Sequence, residues 1–315
     1  MKKNNGTTDN MQNVEVRAEK CKQDSVMNYD TDGLVVGSKK RKQAKESAQN
    51  KSVEFHKSEI GVFKFKYSLL KPILDYASRL KQDFIQLQFQ DAGMHVQFVN
   101  QSNTAMGIFS ITKEDFIQYE RKNNKECKLG VNVKEFLGLD ITPGAQIDMM
   151  LKSMRRDNEA KIYILRYSET EKVLGGTTSD DVSYFSRMPN IKTNNYATLP
   201  PKKIHEFLKA VAAFSKSFRI ALSMSGIELT AKTKGTAIAM TIPKEDITLE
   251  LTNEGSETSY PVEECLYAFS AMKNAAAVKI CLGEKDKPMQ MDFYFGRKDQ
   301  EKESVARVLV AMGEY

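Results

Sequence analysis

The chain has three histidines, His56, His95 and His205. General acid–base or triad chemistry would need one of them beside a spaced carboxylate and a nucleophile. No such spacing is present: His56 stands in or near a polar N-terminal stretch, His95 falls in a strand pattern and His205 in a helical one. The four cysteines, Cys21, Cys127, Cys265 and Cys281, lie far apart without a C-x-x-C pair. That spacing indicates neither a zinc site nor a disulfide framework, and three of the cysteines read as core fillers. Asp180-Asp181 follows Gly175-Gly176, but two adjacent carboxylates in a loop are more often solvated than bound to metal. G-x-x-x-x-G-K, G-x-G-x-x-G opening a helix, and H-E-x-x-H are all missing. These residues point to a binding protein, not an enzyme, with no metal and no cofactor.

Basic residues are the remaining candidates. The chain of 315 residues carries a formal net charge of +6, and where that charge sits matters more than its size. Residues 1–52 hold eleven Lys and Arg against seven Asp and Glu, whereas residues 53–315 hold thirty-six against thirty-four. A DNA-binding folded part would therefore have to gather its cations on one surface. Residues 1–52 contain no Phe or Trp and one Tyr, Tyr29, too little apolar surface to order themselves, so a disordered basic tail is expected. Within it Lys39-Lys40-Arg41-Lys42 has the form of a nuclear import signal or a loose phosphate contact, and equally of a solvated charge run. No stretch approaches the roughly 20 apolar residues of a membrane span, and no signal peptide opens the chain. An intracellular protein that does not engage membranes is expected.

The elements that would carry these residues follow from periodicity. Phe63 and Phe65 alternate with lysines, and Leu69, Leu70, Ile73, Leu74, Ala77 and Leu80 recur at helical spacing. That is a strand followed by a helix. Pro72 is comfortable only in a first turn, which predicts a helix start near Lys71 or a distorted entry. Ile85, Leu87 and Phe89, a turn at Asp91-Ala92-Gly93, then Met94, Val96 and Phe98 make a hairpin. A third strand around 106–111, an irregular acidic stretch, a short helix near 133–139 and two further strands complete the unit.

The second half repeats the plan. Ile204, Phe207, Leu208, Val211 and Phe214 form one apolar stripe, with Lys202, Lys203, Lys209 and Lys216 on the rest of that helix surface. Phe218, Ile220 and Leu222 follow as a strand, and Gly226 stands 133 residues after Gly93 at an equivalent turn. Val262, Cys265, Leu266 and Phe269 start another helix, as Val133, Phe136 and Leu137 do. The unit helix–β–β–β thus occurs about four times, an α+β tandem duplication. The expected layout is a tail over 1–52, a domain over 53–176, a connector over 177–198 and a second domain over 199–315; a connector of that length is usually functional or mobile.

Several stretches resemble the proliferating cell nuclear antigen (PCNA) family of DNA sliding clamps. The residues that carry the likeness are 91–100, Asp-Ala-Gly-Met-His-Val-Gln-Phe-Val-Asn; 128–133, Lys-Leu-Gly-Val-Asn-Val; 157–160, Asp-Asn-Glu-Ala, with Ile162 and Ile164; and Met188-Pro189 and Leu199-Pro200, which bracket the second-domain start. Each motif is short, and the likeness rests on their order over residues 60–315. The resemblance implies a two-domain clamp fold with helices on the inner face and antiparallel sheets outside. It further implies a homotrimeric ring around duplex DNA, held without sequence specificity. By position the DNA-binding candidates are Lys71, Arg79, Lys81, Lys202, Lys203, Lys209 and Lys216, each of which can equally be an ordinary surface cation.

The implied partner-peptide pocket comprises Val99, Asn103, Thr104, Val182, Tyr184, Val308 and Val310; its plain alternative is core packing. DNA polymerase and other replication and repair proteins would dock there through short peptides, and an ATP-driven clamp loader would open the ring. The protein would work in the nucleus or at a viral replication site, and the added basic tail marks an organism-specific appendage or the clamp of a large DNA virus. Three features depart from the family pattern. The second helix sets Lys134 against Glu135 and Asp140; the fourth sets Lys273 against Glu263 and Glu264; and Gly175-Gly176 falls in, and would weaken, an edge strand expected to pair with residues 237–242 of a neighbour. Two alternatives follow: a monomeric or dimeric processivity subunit that holds DNA by charge, and a protein-interaction scaffold of the same fold that has lost DNA.

Overall fold

A computed structural model describes residues 58–153, 159–176, 195–252, 256–283, 287–295 and 305–312. The expectations for the tail, including Lys39, Lys40, Arg41 and Lys42, and for Val182 and Tyr184 of the connector lie outside the described residues. The described residues all belong to one unit, Ser52–Tyr315.

The first half runs β1 (Glu59–Lys66), α1 (Tyr67–Arg79), β2 (Phe84–Gln90), β3 (Gly93–Val99), β4 (Ala105–Thr112), β5 (Gln118–Arg121), β6 (Cys127–Asn132), α2 (Val133–Leu137), β7 (Gln146–Lys152), β8 (Glu159–Ala160), β9 (Ile162–Tyr167) and β10 (Thr170–Gly175). The second runs β11 (Asn195–Leu199), α3 (Lys202–Val211), β12 (Ser217–Ser223), β13 (Gly226–Lys232), β14 (Ala237–Pro243), β15 (Thr248–Glu250), β16 (Ser256–Pro261), α4 (Val262–Ala271), β17 (Ala277–Leu282), β18 (Met289–Tyr294) and β19 (Val305–Val310). β11 starts at Asn195, so the last four residues expected in the connector belong to the first strand of the second half. There Tyr196–Thr198 pair with β15, and Asn195–Leu199 pair with β17.

Helix α1 begins at Tyr67 and carries Pro72 inside it, rather than beginning near Lys71. An interior proline costs about 3 kcal/mol. Tyr67 and Leu70, 3% and 0% exposed, each recover about 1.5–3 kcal/mol by burial, which favours extending the helix upstream of the proline.

Three antiparallel sheets result, apart from one parallel contact of β8 with β6. β5, β1, β7, β9 and β10 make the first, and β16, β12, β13 and β14 the third. The second has ten strands, because the first half's β6-β2-β3-β4 joins the second half's β19-β18-β17-β11-β15 through β4 and β19. Its central joint is antiparallel, with Val305 opposite Ser110 and Val310 opposite Ala105.

The duplication is visible atom by atom. Gly93 and Gly226 have φ of +136° and +133°, and a Cβ on either would lie 2.0 or 2.1 Å from the carbonyl oxygen of Ile111 or Ile242. Only glycine fits both turns. The tripeptide Lys-Glu-Asp follows β4 at 113–115 and β14 at 244–246. In each copy the lysine N–H donates to the preceding turn, Lys113 to Ala92 and Lys244 to Ser225, both at 3.1 Å. Gly175 does not break β10, which pairs with β9 up to Gly175 opposite Ile162, and the Gly176 N–H donates to the Lys161 carbonyl at 2.8 Å.

Candidate nucleic-acid interface

The four helices lie in a row, α2 beside α1, α1 beside α4 and α4 beside α3. Each turns its buried side chains to the sheets: Leu70, Ile73, Leu74 and Ala77 of α1; Val133 and Phe136 of α2; Ile204, Phe207, Leu208 and Val211 of α3; Val262, Cys265, Ala268 and Phe269 of α4. Spacing of three and four residues leaves the polar side chains on the opposite face, where the candidate cations stand.

The cations are not equally available. Lys71 Nζ lies 2.9 and 3.0 Å from the carboxylate oxygens of Asp75, Lys202 lies 3.9 Å from Glu206 and Lys203 2.6 Å from Asp246. Exposed pairs of this kind are worth about 0.2–1 kcal/mol, so a phosphate can displace the carboxylate at little cost. Arg79 is exposed and stands over the Tyr267 ring, 5.8 Å from its centroid. Lys81, at the end of α1 with φ of 58°, and Lys209 and Lys216 are exposed. Lys134 of α2 is held by Asp83 at 2.8 Å.

Two residues not among the candidates join this face. His205 of α3 is half-buried against α4, its Nε2 3.2 Å from Ser270 Oγ. Burial first, then the Lys209 charge, followed by Arg79 and Lys273 with Glu206 opposing, hold the imidazole below its ordinary 6.5. Arg79, Lys209 and Lys273, from the end of α1, from α3 and from just beyond α4, therefore all act on the charge of this one ring. Lys273 follows α4 by two residues, clear of the acidic first turn at Glu263 and Glu264. It is this placement along the helix that linear counting of charges hid.

The partner-pocket candidates divide between the two faces of the ten-stranded sheet. Val308 and Val310 are 0% exposed in the main core, facing the helices, because alternate strand residues point to opposite faces. Their neighbour Leu309 faces the other way and forms a separate apolar cluster with Val99, Met106 and Ile108. On β19 it is Leu309, and not Val308 or Val310, that shares a face with the candidate Val99. Met106 and Ile108 were legible as the alternates of Gly107 and Phe109 but were not singled out. Asn103 sits at φ of 58° in the β3–β4 loop. Asn100 Oδ1 accepts the Thr104 and Ala105 N–H groups at 2.9 and 3.0 Å, and Thr104 Oγ1 donates to Glu264 of α4 at 3.3 Å. The Asn103–Thr104 loop is therefore tied to the helix layer, beside the apolar cluster rather than in it.

Among the described residues no group of three or more His, Cys, Asp and Glu could hold a metal ion, and no helix is long and apolar enough to cross a membrane.

Quasi-equivalent halves, joined edge to edge with a row of helices packed on one side of the sheets, define a sliding-clamp fold. No protein-family model matches the chain. It is 24% identical over 242 residues to the DNA polymerase sliding clamp of Thermoplasma acidophilum, covering 74% of this chain and 91% of that one. The Thermoplasma volcanium protein of the same name is 24% identical over 241 residues, with the same coverage. Among solved structures, A. fulgidus PCNA bound to the C-terminal region of FEN-1 superposes with a TM-score of 0.69 at 16% identity, over 81% of this chain and 99% of that chain. PCNA from Entamoeba histolytica gives 0.68 at 18% identity, over 81% and 100%. The chain has the PCNA fold and is similar over most of its length to DNA polymerase sliding clamps.

Proposed function

We propose that the chain is a DNA polymerase processivity factor, non-enzymatic, that closes head to tail into a homotrimeric ring around duplex DNA. The observation that carries the ring is the β4–β19 joint. Its quasi-equivalents are β14 and β10, which stand at the ends of their sheets, paired to β13 and β9 on one side and, among the described residues, to no strand on the other. Repeating the internal joint between two copies sets β10 of one antiparallel to β14 of the next, with Val173 opposite Ala237 and Thr170 opposite Met240. Val173 is 63% exposed, an apolar side chain on an open edge that such pairing would cover. Repeated around the ring, a heterologous contact of this kind closes.

Inside, Arg79, Lys81, Lys209, Lys216 and Lys273, with Lys71, Lys202 and Lys203 released from their carboxylates, touch phosphates without reading bases. Outside, the Val99–Met106–Ile108–Leu309 cluster accepts peptides with aliphatic and aromatic anchors from the polymerase and other replication and repair proteins. A closed ring requires an ATP-driven loader. Work on DNA places the protein inside the cell, at the nucleus or a viral replication site, with Lys39–Lys42 as its import signal.

The test is solution mass by light scattering together with retention on nicked circular and on linear DNA after loading. A trimer that stays on circles and runs off linear ends is expected. A monomer that leaves both alike as salt rises would replace the ring with a subunit that holds DNA by charge alone, and a chain retained on neither would leave a protein scaffold.

A further inference from the structure

We propose that His205 is a proton-coupled part of the DNA grip: it takes up a proton when a phosphate backbone lies over Arg79, Lys209 and Lys273, so that duplex is held more tightly as the pH falls. This rests on reading the helix face as the DNA side. The geometry supplies each requirement. The ring is wedged between α3 and α4, with Nε2 3.2 Å from Ser270 Oγ. Neutral imidazole can donate to or accept from that hydroxyl, while imidazolium must donate, and a hydroxyl that rotates satisfies both. Proton uptake therefore needs no rearrangement of the helices.

The charges facing the ring come from every helix around it: Lys209 and Glu206 on α3, Lys273 beyond the end of α4, and Arg79 at the end of α1. Burial first, and then three cations against one carboxylate, hold the free imidazole below 6.5; DNA acts on the second of these. A polyphosphate surface removes that repulsion by pairing with the cations and adds an attraction of its own. Neither effect depends on base sequence, as a sliding contact requires.

The sign follows from linkage. The free imidazole titrates below 6.5, and the DNA-bound one titrates higher. Above the bound value neither state is protonated and pH has no effect. Between the two values the complex alone carries the proton, so affinity rises as pH falls, levelling off below the free value. One unit of difference corresponds to a tenfold limit; at a half-exposed, screened site about three- to tenfold tighter binding is expected at pH 5.5 than at 7.5. The added cation should also steepen the slope of log affinity against log salt by about 0.9 at the lower pH.

The experiment uses the full chain and a short duplex of mixed sequence. Affinity is measured across salt at both pH values for the wild type and His205→Gln, which keeps a hydrogen bond to Ser270, and the His205 ring is followed by NMR with and without duplex. The proposal expects a raised midpoint on DNA, and a pH response and slope change that His205→Gln lacks. A His205 midpoint that DNA leaves unmoved, or an equal pH response in the variant, overturns it while leaving the clamp reading intact. Failure of both proteins to engage duplex at pH 7.5 instead removes the reading on which it rests.

Discussion

Tyr76 of α1 is fully buried against Phe98 and Phe109, and its hydroxyl has no hydrogen-bond partner. A buried donor left unpaired costs about 1–3 kcal/mol. Tyr76→Phe should therefore leave the fold unchanged and raise stability by about 1 kcal/mol, read as a higher denaturant midpoint at constant slope; a loss of stability would show that the hydroxyl is satisfied in solution. Gly226 presents the opposite case. Its φ of +133° and the Ile242 carbonyl in the place of a Cβ predict that Gly226→Ala costs about 1–3 kcal/mol, and equal damage from Gly93→Ala would establish the two turns as energetically equivalent. His95, on β3, has its imidazole held below 6.5 chiefly by burial. The unfolded chain thus takes up that proton first, and the contribution of His95 to stability declines as pH falls through 6.5. His95→Gln should flatten the wild-type loss of midpoint between pH 7 and 5.

Elements are where periodicity was most legible and where it stopped. The α1 and α3 stripes, the paired hairpins and the glycine turns are local patterns, and a chain of one sequence displays them twice. What could not be read locally was pairing between distant strands: the β4–β19 joint spans some two hundred residues and depends on contacts no short window contains. The short β5 and β15 were lost in the stretches after β4 and β14, although the repeated Lys-Glu-Asp marks both. At the candidate site, helix lysines were found by position. The joint action of Arg79, Lys209 and Lys273 on the charge of His205 was not, because it depends on the order in which the helices lie side by side. Strand alternation gives a sharp test on β19. Val308→Ala should lower stability by about 0.5–1.5 kcal/mol with peptide affinity unchanged. Leu309→Ala should weaken binding of a synthetic peptide with aliphatic and aromatic anchors by about tenfold, the cost of one lost anchor contact; the reverse pattern would place the pocket on the helix side. The joint itself predicts a crosslink. Val173→Cys with Ala237→Cys should give covalent oligomers on mild oxidation, because directly opposed strand residues lie within disulfide reach. Lys172→Cys with Ala237→Cys should not, since a one-residue slip turns the two side chains to opposite faces.

Over the whole molecule the question is whether charge or closure holds DNA, since residues 53–315 carry only two excess positive charges. Much of the helix face is internally compensated, with Lys71 held by Asp75, Lys202 by Glu206 and Lys203 by Asp246. A protein that bound duplex by electrostatics alone would gain from releasing those lysines, and its affinity would fall steeply with salt. A ring gains little, because contacts that are weak and exchangeable let it slide, while escape from a circle requires opening a strand joint. Asp75→Asn with Glu206→Gln separates the two. Freeing Lys71 and Lys202 should tighten equilibrium binding to linear duplex and steepen the slope of log affinity against log salt by up to about 0.9 for each lysine. The lifetime of the loaded protein on a nicked circle should stay within about twofold of wild type at any one salt concentration, because no phosphate contact lies on the route by which a closed ring leaves. If the lifetime on circles instead lengthened in proportion to affinity, the same lysines would be what keeps the protein on DNA, and the open edges at β10 and β14 would have to be explained by something other than closure.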